Sequence, residues 1–285
     1  MLLAHINIFP RITLLFKLIF YNSLENHINN NRTFLYCDLG FIDYKEAWDL
    51  QERILQLRIE NNVPDIFLLL EHPHTYTFGK TSHKENLIAS QEFIDKYNIK
   101  IFEIDRGGDV TYHGPGQIVG YPIINLSNWH EDSHLYLRGL EQMIINVCQN
   151  YGIIANRFPP HTGVWIDNER KIAAIGVKIK KWITMHGFAF NFNTDLEVFK
   201  GIIPCGIKDK DVTSIEREIS HKVDIQEGKE LLVENFKKVF NYNNYQEISK
   251  AELLNIVENG FNIHQDDEDT KILHQDDEGT LCKQI

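Results

Sequence analysis

Residues 163–193 carry three β-rich runs in close succession, GVWI, KIAAIGVKI and WITMHGFAFNF, separated by Asp167-Asn168-Glu169-Arg170 and by Lys180-Lys181. Runs this short, rich in β-branched and aromatic residues and joined by turn-forming polar residues, predict a meander of antiparallel strands. Such a sheet has to bury one face, and the flanking segments offer the cover. Tyr44, Ala47, Trp48, Gln51, Ile54 and Leu55 recur at helical spacing after Asp43 and Glu46, which have the form of a capping box. A second helix is predicted from the three-and-four spacing of Tyr136, Leu137, Leu140, Met143, Ile144, Val147, Cys148 and Tyr151, opened by Asp132 or Ser133 and closed by Gly152. Residues 66–70 are continuously apolar and read as a buried strand ended by Pro73. Helices over residues 226–240 and 250–257 complete an α/β (α+β) domain with a mixed, largely antiparallel sheet flanked by helices.

The domain is expected to span residues 33–262. Residues 1–32 read as a nonessential extension: their apolar stretch is interrupted by Lys17, is too short for a bilayer and is followed by an Asn-rich segment instead of a cleavage site. Residues 263–285 repeat HQDDE and hold seven Asp/Glu against two Lys, a net of −5 out of the chain's −11, and are expected to be disordered. A modestly acidic domain argues against nucleic-acid binding, which needs surplus Lys and Arg on a broad face. Four scattered cysteines without a C-x-x-C pair suggest neither a disulfide framework nor a zinc site, and fit a reducing, cytoplasmic setting. No metal, cofactor or membrane partner is expected.

Five segments invite a functional reading. Arg106-Gly107-Gly108-Asp109-Val110-Thr111-Tyr112-His113-Gly114-Pro115-Gly116-Gln117 concentrates glycine as a binding loop would, although a tight strand connection would use the same residues. Lys171 is followed by Ile172, Ala173 and Ala174, so its amine is either a partly desolvated base or a solvated strand-end charge. In Met185-His186-Gly187-Phe188-Ala189 the glycine marks either a ligand's close approach or a bulge, and His186 either a functional or a satisfied core histidine. Cys205, between Pro204 and Gly206, is a nucleophile candidate only if a nearby cation favours its thiolate; an incidental loop cysteine is the plainer alternative. Arg170, Lys171, Lys178, Lys180 and Lys181 fall within twelve residues free of Asp and Glu, either a basic patch that steers acidic partners or a solvated hairpin face.

Taken together, Leu39-Gly40, Glu71-His72-Pro73, Thr77-x-Gly79, the RGGDVTYHGPGQ block, Tyr121-Pro122, Lys171 through Gly176, His186-Gly187, Asn191 and Pro204-Cys205-Gly206 resemble the lipoate-protein octanoyltransferase family. The resemblance implies a biotin/lipoate-protein ligase-like catalytic domain. It also implies transfer of an octanoyl group from octanoyl-acyl carrier protein to a lysine of a lipoyl domain, the first step of endogenous protein lipoylation. On this reading Cys205 carries the acyl thioester and Lys171 is its partner. Arg106, Gly107, Gly108, Asp109, Val110, Thr111, Tyr112, His113, Ala174, Ile175, Gly176, Gly187, Phe188 and Ala189 match the substrate-contacting segments. The implied acceptors are the lipoyl domains of 2-oxoacid dehydrogenase complexes and the glycine cleavage H protein. The competing readings are an ATP-dependent lipoate or biotin ligase on the same fold, a catalytically silent binding module, and a metal enzyme built on His72, His74, His113 and His186.

Overall fold

The computed structural model describes residues 32–203 and 209–259. The main sheet has nine strands: β1 (Thr33–Phe41), β2 (Asp65–Glu71), β6 (Gln117–Ile123), β7 (Asn156–Phe158), β8 (His161–Ile166), β9 (Arg170–Lys180), β10 (Ile183–Asn191), β11 (Asp211–Val212) and β12 (Asn244–Glu247). Their order is β12-β1-β2-β6-β10-β9-β8-β7, with β11 beside β9. Parallel pairing is confined to β12-β1-β2 and to β11 on β9, and the other ladders of this sheet are antiparallel. A second sheet joins β3 (Thr75–Phe78), β4 (Lys100–Glu103) and β5 (Thr111–His113) in the order β4-β3-β5.

The expected meander is present as β8-β9-β10. Both of its hairpins turn through two residues with positive φ, Asp167-Asn168 (53° and 59°) and Lys181-Trp182 (50° and 62°). That turn geometry matches the right-handed twist of the strands it joins. The apolar run of β2 is continuous because both faces are covered. Phe67 and Leu69 enter one core with Tyr136, Met143 and Phe236, whereas Ile66, Leu68 and Leu70 enter another with Leu50, Ile54 and Leu253.

Helices α1 (Tyr44–Ile59), α3 (Ser133–Asn150), α5 (Ile225–Val239) and α6 (Lys250–Asn259) lie where helical spacing places them. Asp43 caps α1 by accepting from the Lys45 N–H, but the capping box is not closed, because Glu46 pairs instead with Lys250 at 2.9 Å. Asp132 caps α3, and Gly152, at φ 73°, follows its end. The small sheet, α2 (Gln91–Tyr97) and α4 (Ile215–Ile219) carry no such periodic signal. Among the described residues no helix is long and apolar enough to cross a membrane. The expected N-terminal extension, apart from Arg32, the acidic tail and Cys205 lie outside the described residues.

Candidate active site

The glycine-rich segment between β4 and β6 is held down from both sides. Arg106, 7% exposed, turns its guanidinium inward to donate to the Thr77 carbonyl at 2.8 Å and to Thr77 Oγ1 at 3.0 Å. The Gly107 N–H donates to Val177 O of β9 at 2.9 Å. This close approach requires glycine at 176, where a Cβ would lie 2.9 Å from both Arg106 Cδ and Gly107 O. The Asp109 carboxylate is engaged by Asn86 Nδ2 at 2.5 Å, by the Val110 N–H at 2.7 Å and by the His83 N–H at 3.3 Å, so it fixes the loop to the 83–86 segment. Tyr112 points away into the small-sheet core, where its hydroxyl meets His74 Nδ1 at 2.7 Å.

Buried polar groups continue behind the loop. His113 Nδ1 lies 3.0 Å from Gln117 Oε1 and its Nε2 3.4 Å from Thr77 Oγ1, while Gln117 Nε2 donates to Tyr112 O and to Asn191 Oδ1. These contacts assign the proton to Nδ1. Burial, with His72 and Arg106 nearby, holds the His113 imidazole well below the usual histidine range. Burial likewise pushes His72 down to about 4; its Nδ1 contacts Ile42 O at 2.8 Å and its Nε2 the Tyr121 hydroxyl at 2.9 Å. His186 has φ 59° and is 1% exposed; its Nε2 sits 3.0 Å from Asp105 Oδ1, and Lys178 also pairs with Asp105. The hydrogen bond from His186, reinforced by Lys178, holds the Asp105 carboxyl well below its ordinary range. Burial outweighs Asp105 at His186 itself and lowers it toward the neutral form.

Lys171 sits on the cleft side of β9, 5% exposed, opposite Trp165 of β8 and Val212 of β11. Its Nζ is 4.7 Å from the Trp165 ring centroid. The plainer alternative of a solvated strand-end charge does not hold.

A cleft gathers Arg106, Gly108, Asp109, Val110, Thr111, His113, Lys171, Ala174, Ile175, Gly176, Gly187, Phe188 and Ala189. Sequence reasoning did not place Tyr44, Tyr121, Thr162 or His186 on its wall. Of the expected contact residues, Gly107 lies on an adjoining groove with Pro160 and His161, and Tyr112 lines neither. Gly187, on the cleft wall, also has a structural reason of its own: a Cβ there would lie 2.1 Å from Gly120 O of β6.

The 204–208 segment is not described, but its flanks meet the site. The Ile203 N–H donates to Asn86 O at 2.8 Å, and Asn86 is the residue that holds Asp109. On the other flank the Thr213 N–H donates to Lys171 O at 3.0 Å. Cys37 and Cys148 are buried, and burial raises both thiols, Cys37 to about 12, away from nucleophilic use. Among the described residues no group of three or more His, Cys, Asp or Glu is placed to hold a metal ion. Two charges of the basic run are paired, Arg170 with Glu218 at 3.0 Å and Lys178 with Asp105, and Lys180 and Lys181 are its exposed charges.

A mixed sheet, a glycine-rich segment along a largely apolar cleft and a buried lysine on the cleft wall make up the candidate site. Residues 43–237 match the family described as the lipoyl protein ligase A/B catalytic domain. The chain is 44% identical over 232 residues to an octanoyltransferase of Cytophaga hutchinsonii, covering 75% of this chain and 95% of that protein. It is 47% identical over 223 residues to an octanoyltransferase of Caldicellulosiruptor saccharolyticus, covering 78% and 94%. The chain therefore belongs to the lipoyl protein ligase A/B family, in its octanoyltransferase branch. Two solved structures share the fold at low identity. They are a bipartite lipoate protein ligase from Thermoplasma acidophilum (TM-score 0.59, 15% identity, 80% of this chain and 92% of that one) and lipoate-protein ligase A bound with ATP (TM-score 0.60, 13%, 80% and 95%).

Proposed function

We propose that this protein transfers an octanoyl group from octanoyl-acyl carrier protein to a lysine of a lipoyl domain through a thioester on Cys205. The reading places it in the cytoplasm and gives it the lipoyl domains of 2-oxoacid dehydrogenase complexes and the glycine cleavage H protein as acceptors. The observation that carries it is the buried Lys171 on a cleft whose walls include Val110, Ala174, Ile175, Phe188 and Ala189, apolar surface suited to an acyl chain.

The proton balance closes on Lys171. As an ammonium it favours the Cys205 thiolate, which attacks the octanoyl carbonyl. The bond to the pantetheine sulfur breaks, and that sulfur leaves with a proton from Lys171. The acceptor lysine then attacks the enzyme thioester and its surplus proton passes to the neutral Lys171. The C–S bond to Cys205 breaks, and thiolate and ammonium are restored. Thioester exchange is nearly isoenergetic and amide formation is downhill, so no ATP is required.

The test is the intact mass after incubation with octanoyl-carrier protein in the absence of ATP. A hydroxylamine-sensitive octanoyl adduct is expected on the parent, absent in Cys205→Ser and slowed in Lys171→Ala. Acylation that needs ATP would instead identify a ligase. Undiminished transfer by Cys205→Ser would reject the thioester.

A further inference from the structure

His186 and Lys171 mark opposite ends of the cleft along the sheet. On β10, His186 pairs with Val177 of β9, six residues beyond Lys171 and so about 20 Å along the strand. The wall between them, Ala174, Ile175, Gly176, Phe188 and Ala189, offers an acyl chain no polar side chain. At the His186 end the surface changes character. The ring is 1% exposed, its backbone N–H donates to Gln51 Oε1 of α1 at 3.0 Å, and its Nε2 lies 3.0 Å from Asp105 Oδ1. Burial favours the neutral ring, so a proton given to Asp105 from Nε2 leaves Nδ1 as an acceptor. That nitrogen is buried without a hydrogen-bond partner among the described residues. Polar neighbours on the same wall are already engaged: the Tyr121 hydroxyl donates to His72 Nε2 at 2.9 Å, and both His113 ring nitrogens have contacts, with Gln117 and Thr77.

A buried acceptor without a donor is costly, and a methyl terminus laid against it gives no relief. We propose that His186 makes its end of the cleft a subsite for a hydrogen-bond donor on the acyl chain, so that the enzyme takes medium-chain acyl groups hydroxylated near the tail as well as the plain octanoyl chain. The inference rests on the reading of this cleft as the acyl-chain site. A tail hydroxyl donates to Nδ1 and satisfies it. A ketone at the same carbon has the same reach but presents only lone pairs, which the lone pair of Nδ1 repels. Asp105, which does not line the cleft, sets the sign of this preference by taking the Nε2 proton, and Lys178 holds that carboxylate in place. His186 is thus a specificity-determining residue, and Asp105 a positioning residue that acts through it.

The experiment compares octanoyl-, 7-hydroxyoctanoyl- and 7-oxooctanoyl-carrier protein as donors to a lipoyl domain, by kcat/KM, in the full-length protein. The parent should use the hydroxy chain about tenfold better than the oxo chain, the worth of one hydrogen bond to a buried acceptor. Asp105→Asn, whose amide sends the ring proton to Nδ1, should bring that ratio to about one or below, because the ketone then accepts the proton; the ratio is independent of the variant's overall loss of rate. His186→Leu should also bring it to about one, with both substituted chains falling behind octanoyl. If His186→Leu does not fold, Asp105→Asn decides alone. Equal values for the two chains in the parent, rejection of both beside rapid octanoyl transfer, or a tenfold ratio that either folded variant preserves overturns the subsite and leaves octanoyl transfer standing. A parent inert toward octanoyl-carrier protein removes the acyl-chain reading and the inference together.

Discussion

Nε2 of His186 lies 3.0 Å from Oδ1 of Asp105, and the contact fixes the histidine's tautomer. An N–H on Nε2 that donates to the carboxylate leaves Nδ1 as a bare acceptor, and Nδ1 is buried without a partner among the described residues. Asp105→Asn should let the new amide donate to Nε2 and send the proton to Nδ1. Imidazole nitrogen shifts measured by NMR should report the exchange, with octanoyl transfer reduced about tenfold through the altered cleft wall. An unchanged tautomer would show that Asp105 does not control the ring.

Acid should loosen this fold before it reaches the carboxylates. His72 is held at about 4 against an ordinary 6.5, so its contribution to stability is complete above pH 6.5 and is lost as pH falls toward 4. Between pH 7.5 and 5 this one group should remove about 2 kcal/mol, and His113, lowered for the same reason of burial, should add to it. Urea unfolding at the two pH values measures the loss. In His72→Gln, which cannot titrate, the dependence should flatten while stability at pH 7.5 drops.

Two of the glycines matched to substrate contact, Gly107 and Gly187, should separate under substitution. At Gly187 an alanine methyl would strike Gly120 O at 2.1 Å, so Gly187→Ala should destabilise the sheet by about 3 kcal/mol or fail to fold. At Gly107 the nearest atom to an added Cβ is Val177 O at 3.5 Å, an ordinary contact. Gly107→Ala should therefore keep its melting temperature within about 2 °C, a shift of a few tenths of a kcal/mol, and reveal its effect in KM. A large loss of stability at Gly107, or none at Gly187, would contradict the packing.

Electrostatic attraction of acidic partners should depend on Lys180 and Lys181 more than on Arg170 and Lys178, whose charges are already paired. Lys180→Glu with Lys181→Glu should lower kcat/KM for a protein donor about tenfold at low ionic strength, and the deficit should fade by about 0.5 M salt. A deficit that persists at high salt would point to lost contacts instead of lost steering.

What the sequence discloses and what it withholds divide along a physical line. The β8-β9-β10 meander and the buried run of β2 are legible because their side chains alternate or saturate according to how many faces are covered. β4 is not, since Lys100, Ile101 and Glu103 are exposed and display no buried face. At the site, the glycine block and Lys171 are visible as local composition, whereas the fate of each charge depends on partners far along the chain. Arg170 finds Glu218 forty-eight residues away and Lys178 finds Asp105 seventy-three away, which is why two of the five charges in the basic run are already paired. Tyr44 and Tyr121 reach the cleft wall from α1 and β6, elements whose own patterns speak only of packing.

The cleft and the adjoining groove share Gly108, Asp109, Thr162, Lys171, Ile175 and Gly176 along their common border. If the proposed donor and acceptor both reach Lys171, they would have to use that border in turn. Initial-rate plots with donor and acceptor varied should consequently give parallel lines, and spent carrier protein should compete with the acceptor for the acylated enzyme.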